Sequence, residues 1–259
     1  LGKLKPCESE RISKFRFPSD AKLSLAGRCL IHKYIKQYAV ELCIDTNDRI
    51  CDLLDRTSKG KPYLKRDKNT NSDFFLDFNV STAGDFVIFC GIAGNMNDSC
   101  PAIIGCDIMK IEIRGKDKSL TNFFSSLSSC YTQLEWNDIK DKNTNDQLHR
   151  FYETWTLKES YIKAIGIGLG MELQRMEFHS SNNLVKDPNI AYTSVSLKLD
   201  GKEKTSWKFE QHCIDINHVV TIAYGPVDEC EEEYKKVQFQ NIPKSLTFPN
   251  QTPNIIPDK

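Results

Sequence analysis

The sequence predicts an α+β fold in two halves, followed by an extended C-terminal tail. Two observations carry this expectation. Helix-period and strand-period patterns come in blocks (helix, strands, helix, strands) along 259 residues. The last block then gives way to an acidic run, Glu229, Glu231, Glu232 and Glu233, and to four further prolines. The expected divisions are an N-terminal half over 1–104, a C-terminal half over 105–225 and the tail over 226–259.

The first helix begins near Pro18-Ser19-Asp20, with Leu23, Leu25, Ala26, Leu30, Ile31, Tyr34 and Ile35 at helical spacing. Arg11, Lys14, Arg16, Arg28 and Lys33 make this region basic. Arg56-Thr57-Ser58-Lys59-Gly60-Lys61-Pro62-Tyr63 reads as a loop, because Gly-Lys-Pro demands turn geometry. Phe74 to Ser81 is a strand, Ala83-Gly84-Asp85 a turn, and Phe86 to Cys90 the returning strand. A polar loop from Gly91 to Pro101 leads into Ile103-Ile104-Gly105-Cys106-Asp107-Ile108, an apolar strand that carries one aspartate.

Residues 115–147 are mixed, with helix near Leu120 to Leu127 and a polar stretch from Asn137 to Gln147. The main helix covers Asp146 to Ile165 and stops at Gly166, a glycine just past the last apolar position. Ser194 to Leu199 alternates, Asp200-Gly201 is a hairpin turn, Ser206 to Glu210 alternates back, and Val219 to Tyr224 is a further strand.

Lys plus Arg and Asp plus Glu number 35 each, so the formal charge is zero, which argues against a globally electrostatic nucleic-acid binder. The ten cysteines include no Cys-x-x-Cys pair, and several sit in apolar strand contexts, as expected of reduced thiols in a cytoplasmic protein. No apolar stretch approaches the roughly 20 residues that span a bilayer, so no membrane partner is expected. The histidines lack zinc-ligand spacing. Gly166-x-Gly168-x-Gly170 follows a helix rather than opening one, which excludes a dinucleotide-binding loop.

Chemistry concentrates in Trp155-Thr156-Leu157-Lys158-Glu159-Ser160-Tyr161-Ile162-Lys163. One carboxylate and two lysines lie there among residues that otherwise read as the buried face of a helix. Charges in such surroundings are costly to desolvate and have partners or a task. Trp155, Glu159 and Lys163 share one helix face, one turn apart. On an exposed face Glu159 and Lys163 would be an ordinary i,i+4 pair of about 0.2–0.5 kcal/mol. Asp107 taken alone is compatible with a strand-end turn cap. If Asp107 and Glu159 converge, two carboxylates with lysines nearby suit a divalent metal handling phosphate, with positions left open for substrate oxygens.

Gly105-Cys106-Asp107-Ile108 and Trp155-Thr156-Leu157-Lys158-Glu159-Ser160 resemble the paired signature of the 4′-phosphopantetheinyl transferases, G-[IV]-D and W-x-x-K-E-[AS]. Lys59-Gly60-Lys61-Pro62 and Phe78-Asn79-Val80-Ser81 resemble two further motifs of the Sfp-like class, in the same order. The likeness continues through Lys163 to Gly166 and Gly170 to Phe178, and covers roughly residues 8–225.

The resemblance implies a pseudo-dimer of two similar α+β halves with coenzyme A in the cleft between them, and a further strand ahead of Leu1. It implies Mg²⁺-dependent transfer of the phosphopantetheine arm to a serine of an acyl or peptidyl carrier protein. The carrier would be of fatty acid synthase type or aminoadipate-semialdehyde dehydrogenase type, and the enzyme a monomer. Asp107 and Glu159 would hold the metal, Glu159 would be the base, and Lys163 would neutralise charge on the attacked phosphate. Arg11, Arg56, Lys59, Gly60 and Lys61 would hold the nucleotide and its phosphates. Asn79, Val80, Ser81 and Thr82 would line the same cleft, and Lys158 belongs to the motif.

Two positions depart from the family pattern. Thr82 stands where histidine is usual, and Met109 stands where some bacterial members carry glutamate. A non-catalytic coenzyme A or carrier-binding module, and a Mg²⁺-dependent nucleotide pyrophosphate hydrolase, are the alternatives that the sequence leaves open.

Overall fold

The computed structural model describes residues 6–45, 50–66, 70–71, 73–96, 101–113, 119–180 and 184–239. Helices α1 (Pro6–Ser13), α2 (Pro18–Gln37) and α3 (Ile50–Leu53) precede a small hairpin of β1 (Leu54–Arg56) and β2 (Pro62–Leu64). β3 (Phe74–Ala83), β4 (Phe86–Asn95) and β5 (Ala102–Lys110) follow, then α4 (Leu120–Ser126), α5 (Gln133–Asp141) and the long α6 (Thr144–Ile165). β6 (Met176–Ser180), β7 (Val195–Leu199), β8 (Lys202–Glu203), β9 (Lys208–Asp215) and β10 (His218–Pro226) lead to α7 (Glu232–Gln238). Among the described residues the ladders are antiparallel and group as β1–β2, β3–β4, β5–β10–β9 and β6–β7–β8. The α+β class holds.

α2 packs Ile31 and Ile35 on Phe74, Leu76 and Phe78 of β3, which makes the core of the N-terminal half. α6 lies across β5 and β10 and buries Leu157, Tyr161, Ile162, Ala164 and Ile165 against Met176, Phe178, Leu197, Trp207 and Phe209. A third cluster joins α4, α5 and the start of α6 through Phe124, Tyr131, Trp136 and Phe151.

Several elements differ from the sequence expectation: α1, the β1–β2 hairpin and β6 are additional to it, and four expected stretches take another form. β4 runs on to Asn95 rather than stopping at Cys90. Gly91 permits this, since a Cβ there would stand 2.4 Å from the Tyr34 ring of α2. α5 occupies part of the stretch expected to be mixed. A capping box starts it: the Thr132 hydroxyl accepts from the Glu135 amide while the Glu135 carboxylate accepts from the Thr132 amide. The strand expected at Ser206 to Glu210 does not return against β7. The short β8 takes that edge, and β9 pairs with β10. The segment after Pro226 is not extended throughout: 227–229 forms a 3₁₀ turn, and α7 docks with Tyr234 and Gln238 fully buried. The rest of the expected tail, 240–259, lies outside the described residues.

A seam of side chains joins the two halves. Alternate residues of β3 point at β5, and each accepts from a backbone amide there: Asp77 from Ile104 at 2.7 Å, Asn79 from Cys106 at 3.3 Å, and Ser81 from Ile108 at 3.3 Å. The period-2 geometry of a strand puts these three polar side chains on one face, and each is buried. Buried polar groups need partners, so the seam satisfies β3 side chains and β5 amides together.

Candidate active site

Asp107 sits on β5, two residues beyond Gly105. A Cβ at Gly105 would lie 2.3 Å from the Ser160 carbonyl and 2.4 Å from the Ala164 amide of α6. Glycine therefore allows the helix backbone to rest directly on the strand, which brings Glu159 and Lys163 over Asp107. The Lys163 ammonium donates to Asp107 Oδ1 at 2.6 Å and to Ser81 Oγ at 2.7 Å, and Ser81 Oγ donates to the same Oδ1 at 2.9 Å. Asp107 Oδ2 is buried with no hydrogen-bond partner.

Burial, and after it the charge of Asp107, raises the Glu159 carboxyl above its ordinary range, with Lys163 opposing. Burial alone would lower the Lys163 ammonium, but the charges around it, Asp107 foremost, and the hydrogen bond to Asp107 leave it raised. A buried, unpartnered carboxylate oxygen beside a second carboxylate whose ionisation it resists is a donor set that a hard divalent cation satisfies. Mg²⁺ therefore fits Asp107 and Glu159.

A cavity of about 480 Å³ opens over this cluster. Arg56, Lys59 and Gly60 form one wall, Asn79 and Val80 another, and Glu159 and Lys163 the floor. Trp155, Ile162, Leu169, Met171 and Leu173 give it an apolar side that the sequence reading did not assign to the site. Trp155 was within reach of that reading, since it shares the Glu159 face. A second cavity of about 380 Å³ shares Arg56, Pro62, Asn79 and Val80 with the first and adds Arg11, Arg28 and Thr82. Arg28 had been read only as part of a basic region.

Three of the residues expected to meet the cofactor have protein partners. Lys158 is 1% exposed and lies away from both cavities. Its ammonium pairs with Glu135 at 2.8 Å and donates to the Leu173 and Met176 carbonyls. Consecutive helix residues are 100° apart, so Lys158 and Glu159 face different neighbours. Lys61 lines the first cavity. Its ammonium, buried, donates to Asp77 at 3.1 Å, the Ala164 carbonyl at 2.6 Å and the Ile104 carbonyl at 3.4 Å, and stacks over the Tyr234 ring. Ser81 lines neither cavity, because its hydroxyl is held by Asp107, Lys163 and the Ile108 amide.

The comparisons with known proteins agree with this geometry. Residues 1–94 match the family model described as 4′-phosphopantetheinyl transferase, N-terminal, and residues 103–223 match that of the 4′-phosphopantetheinyl transferase superfamily. The chain is 40% identical over 236 residues to the L-aminoadipate-semialdehyde dehydrogenase-phosphopantetheinyl transferase of Xenopus laevis, covering 90% of this chain and 72% of that protein. With the Homo sapiens protein of the same name it shares 40% over 247 residues, 95% of this chain and 74% of the relative. A bacterial 4′-phosphopantetheinyl transferase from Aneurinibacillus migulanus is 32% identical over 151 residues, 58% of this chain and 51% of its own length. The two matched regions meet at the seam where Asp107 and Glu159 converge, and the chain belongs to the 4′-phosphopantetheinyl transferases, enzymes that load phosphopantetheine arms onto carrier proteins.

Proposed function

We propose that the donor is coenzyme A, that Mg²⁺ is required, and that the acceptor is a serine hydroxyl of an acyl or peptidyl carrier domain. The product would be the holo-carrier, with adenosine 3′,5′-bisphosphate as leaving group. Asp107 carries the reading: its buried Oδ2 has no hydrogen-bond partner among the described residues, and Lys163, which pairs with its Oδ1, lines a cavity together with Glu159, Arg56 and Lys59.

Serine is a weak nucleophile at its free pKa and needs a base. Glu159, which lines the cavity, takes the hydroxyl proton. The serine oxygen then attacks the phosphorus that bears the pantetheine arm, and the bond from that phosphorus to the nucleotide breaks. Lys163 faces the charge that develops on the phosphoryl oxygens. Asp107 and Glu159 would hold Mg²⁺, which would supply further neutralisation of the pyrophosphate. Arg56, Lys59 and Gly60 grip phosphates, and Arg11 and Thr82 face the nucleotide end in the second cavity.

The name of the vertebrate relatives supports a carrier of aminoadipate-semialdehyde dehydrogenase type as one partner; we take fatty acid synthase carriers as another. Free cysteines such as Cys29, Cys43, Cys90 and Cys106 support action in the cytoplasm, and we take the working form to be a monomer. Incubation with coenzyme A, Mg²⁺ and an apo-carrier, followed by mass spectrometry, tests the proposal. A carrier that gains one phosphopantetheine arm with wild-type protein but not with Glu159→Ala supports it. No gain with wild-type protein sinks it.

A further inference from the structure

We propose that Glu233 of α7 is a positioning residue for the turn that carries Lys59 and Gly60, so that α7 completes the coenzyme A grip from outside the cavity. This rests on the reading that Lys59 and Gly60 hold phosphate. α7 lies beyond both family-matched regions, and none of its residues lines either cavity.

The turn is a tight one between β1 and β2. The Gly60 amide donates to the Thr57 carbonyl at 2.9 Å, the Thr57 amide to the Lys61 carbonyl at 2.9 Å, and the Lys61 amide to Thr57 Oγ1 at 3.1 Å. Gly60 sits at φ +91°, where a side chain would be strained. Ser58, Lys59 and Gly60 are exposed at the tip. Internal bonds fix the shape of such a tip but not its direction.

Glu233 supplies the direction. One carboxylate oxygen accepts from the Ser58 amide at 2.8 Å and the other from the Ser58 hydroxyl. The helix behind it is held on several sides. Tyr234 donates its hydroxyl to Asp77, Gln238 Nε2 donates to the Leu76 carbonyl at 2.6 Å, and the Leu64 amide donates to Gln238 Oε1 at 3.1 Å. The Glu231 amide donates to the Ile165 carbonyl at the end of α6 at 2.7 Å. α7 therefore links the end of the helix that bears Glu159 and Lys163 to the tip that bears Lys59.

Coulomb's law and positioning predict opposite signs here. Glu233 is an anion near Lys59, in a region read as gripping anions, so on charge alone its removal tightens cofactor binding. If it acts by aiming the turn, removal weakens binding.

The test measures the Kd for coenzyme A by calorimetry with the full chain, together with amide exchange across 57–60. Glu233→Ala is expected to raise the Kd about tenfold, which is about 1.4 kcal/mol. Glu233→Gln, which keeps an acceptor for the Ser58 amide, is expected to fall between Glu233→Ala and wild type. Exchange at Ser58 speeds up in Glu233→Ala, kcat at saturating coenzyme A stays within about twofold, and Ser58→Ala adds little on top of Glu233→Ala. A Kd that is unchanged or tighter in Glu233→Ala, while wild type binds, overturns this inference alone. Wild-type protein that does not bind coenzyme A overturns both this inference and the reading beneath it.

Discussion

Two lysine–aspartate pairs lie along the same seam and have opposite fates. Lys61 and Asp77 are 3.1 Å apart with side chains 3% and 0% exposed, and every partner they need is present. Asp77 accepts from Lys61, the Ile104 and Phe78 amides and the Tyr234 hydroxyl, and Lys61 also holds the carbonyl of Ala164 near the end of α6. Lys163 and Asp107 are 2.6 Å apart, 29% and 6% exposed; Lys163 lines the cavity, and Asp107 Oδ2 has no hydrogen-bond partner among the described residues. The same two residue types thus make a structural hub where the network closes and a reactive site where it stays open. Charge type does not separate them; the completeness of the hydrogen bonding does.

The comparison breaks first if the closed pair is not structural. Asp77→Ala strands a buried ammonium and the Ile104 amide, and is expected to cost about 3–5 kcal/mol in urea unfolding. A loss well under 1 kcal/mol would remove the contrast. At the open pair the balance reverses. Lys163→Ala and Asp107→Ala are expected to lower kcat/KM for carrier loading about 10²–10³-fold. Asp107→Asn, which keeps an acceptor for Lys163 and Ser81 while removing the paired charge, is expected to cost less in urea unfolding than Asp77→Ala.

A pH experiment sharpens the comparison at a third buried carboxylate. Glu153 accepts from the Val185 amide and forms an ion pair with Arg150, beside His149 and with Asp138 on the far side of Arg150. Burial, opposed by Arg150 and the Val185 amide, pushes it up to about 7. Its folded value lies above its unfolded one, so its contribution to stability is fullest at acid pH and is lost as pH rises through about 7. His149 is lowered by burial, and its effect has the other sign, lost as pH falls through its ordinary value. Relative to Glu153→Gln, wild-type stability should fall by on the order of 2 kcal/mol between pH 4.5 and 7.5, read by thermal unfolding at constant ionic strength. Parallel pH curves would place Glu153 in the closed class.

The smallest effect is expected at Thr82, exposed in the second cavity. Thr82→His offers an added donor to cofactor phosphate and should tighten coenzyme A by less than about tenfold. An unchanged or weaker Kd would remove Thr82 from the nucleotide site.

Much of the site was legible in the sequence because its spacing is local. Trp155, Glu159 and Lys163 recur every fourth residue, so one helix face suffices to group them, and the resemblance supplied Asp107. The partners of Lys158 and Lys61 were not legible for the converse reason. Their destinations, Glu135 on α5 and Asp77 with Tyr234 of α7, are set by elements distant in sequence. The start of α5 was encoded in Thr132 and Glu135, yet a polar run hid it. The helix after Pro226 was masked by acidic residues that read as tail, although Glu231 caps its first turn through the Glu233 and Tyr234 amides. The seam left its trace as alternation in Asp77-Phe78-Asn79-Val80-Ser81, but alternation alone would put the polar face in water.

Gly105 carries a consequence that reaches past its own position. It is a spacer of zero thickness: the gap between strand and helix is as narrow as two backbones allow, and that gap sets how far apart Asp107 and Glu159 stand. A change of one methyl group, far milder than any charge substitution, would act as a shim. It would leave every reactive group intact and shift their mutual aim, so the most conservative replacement in this region is also the one that tests whether distance alone governs the chemistry.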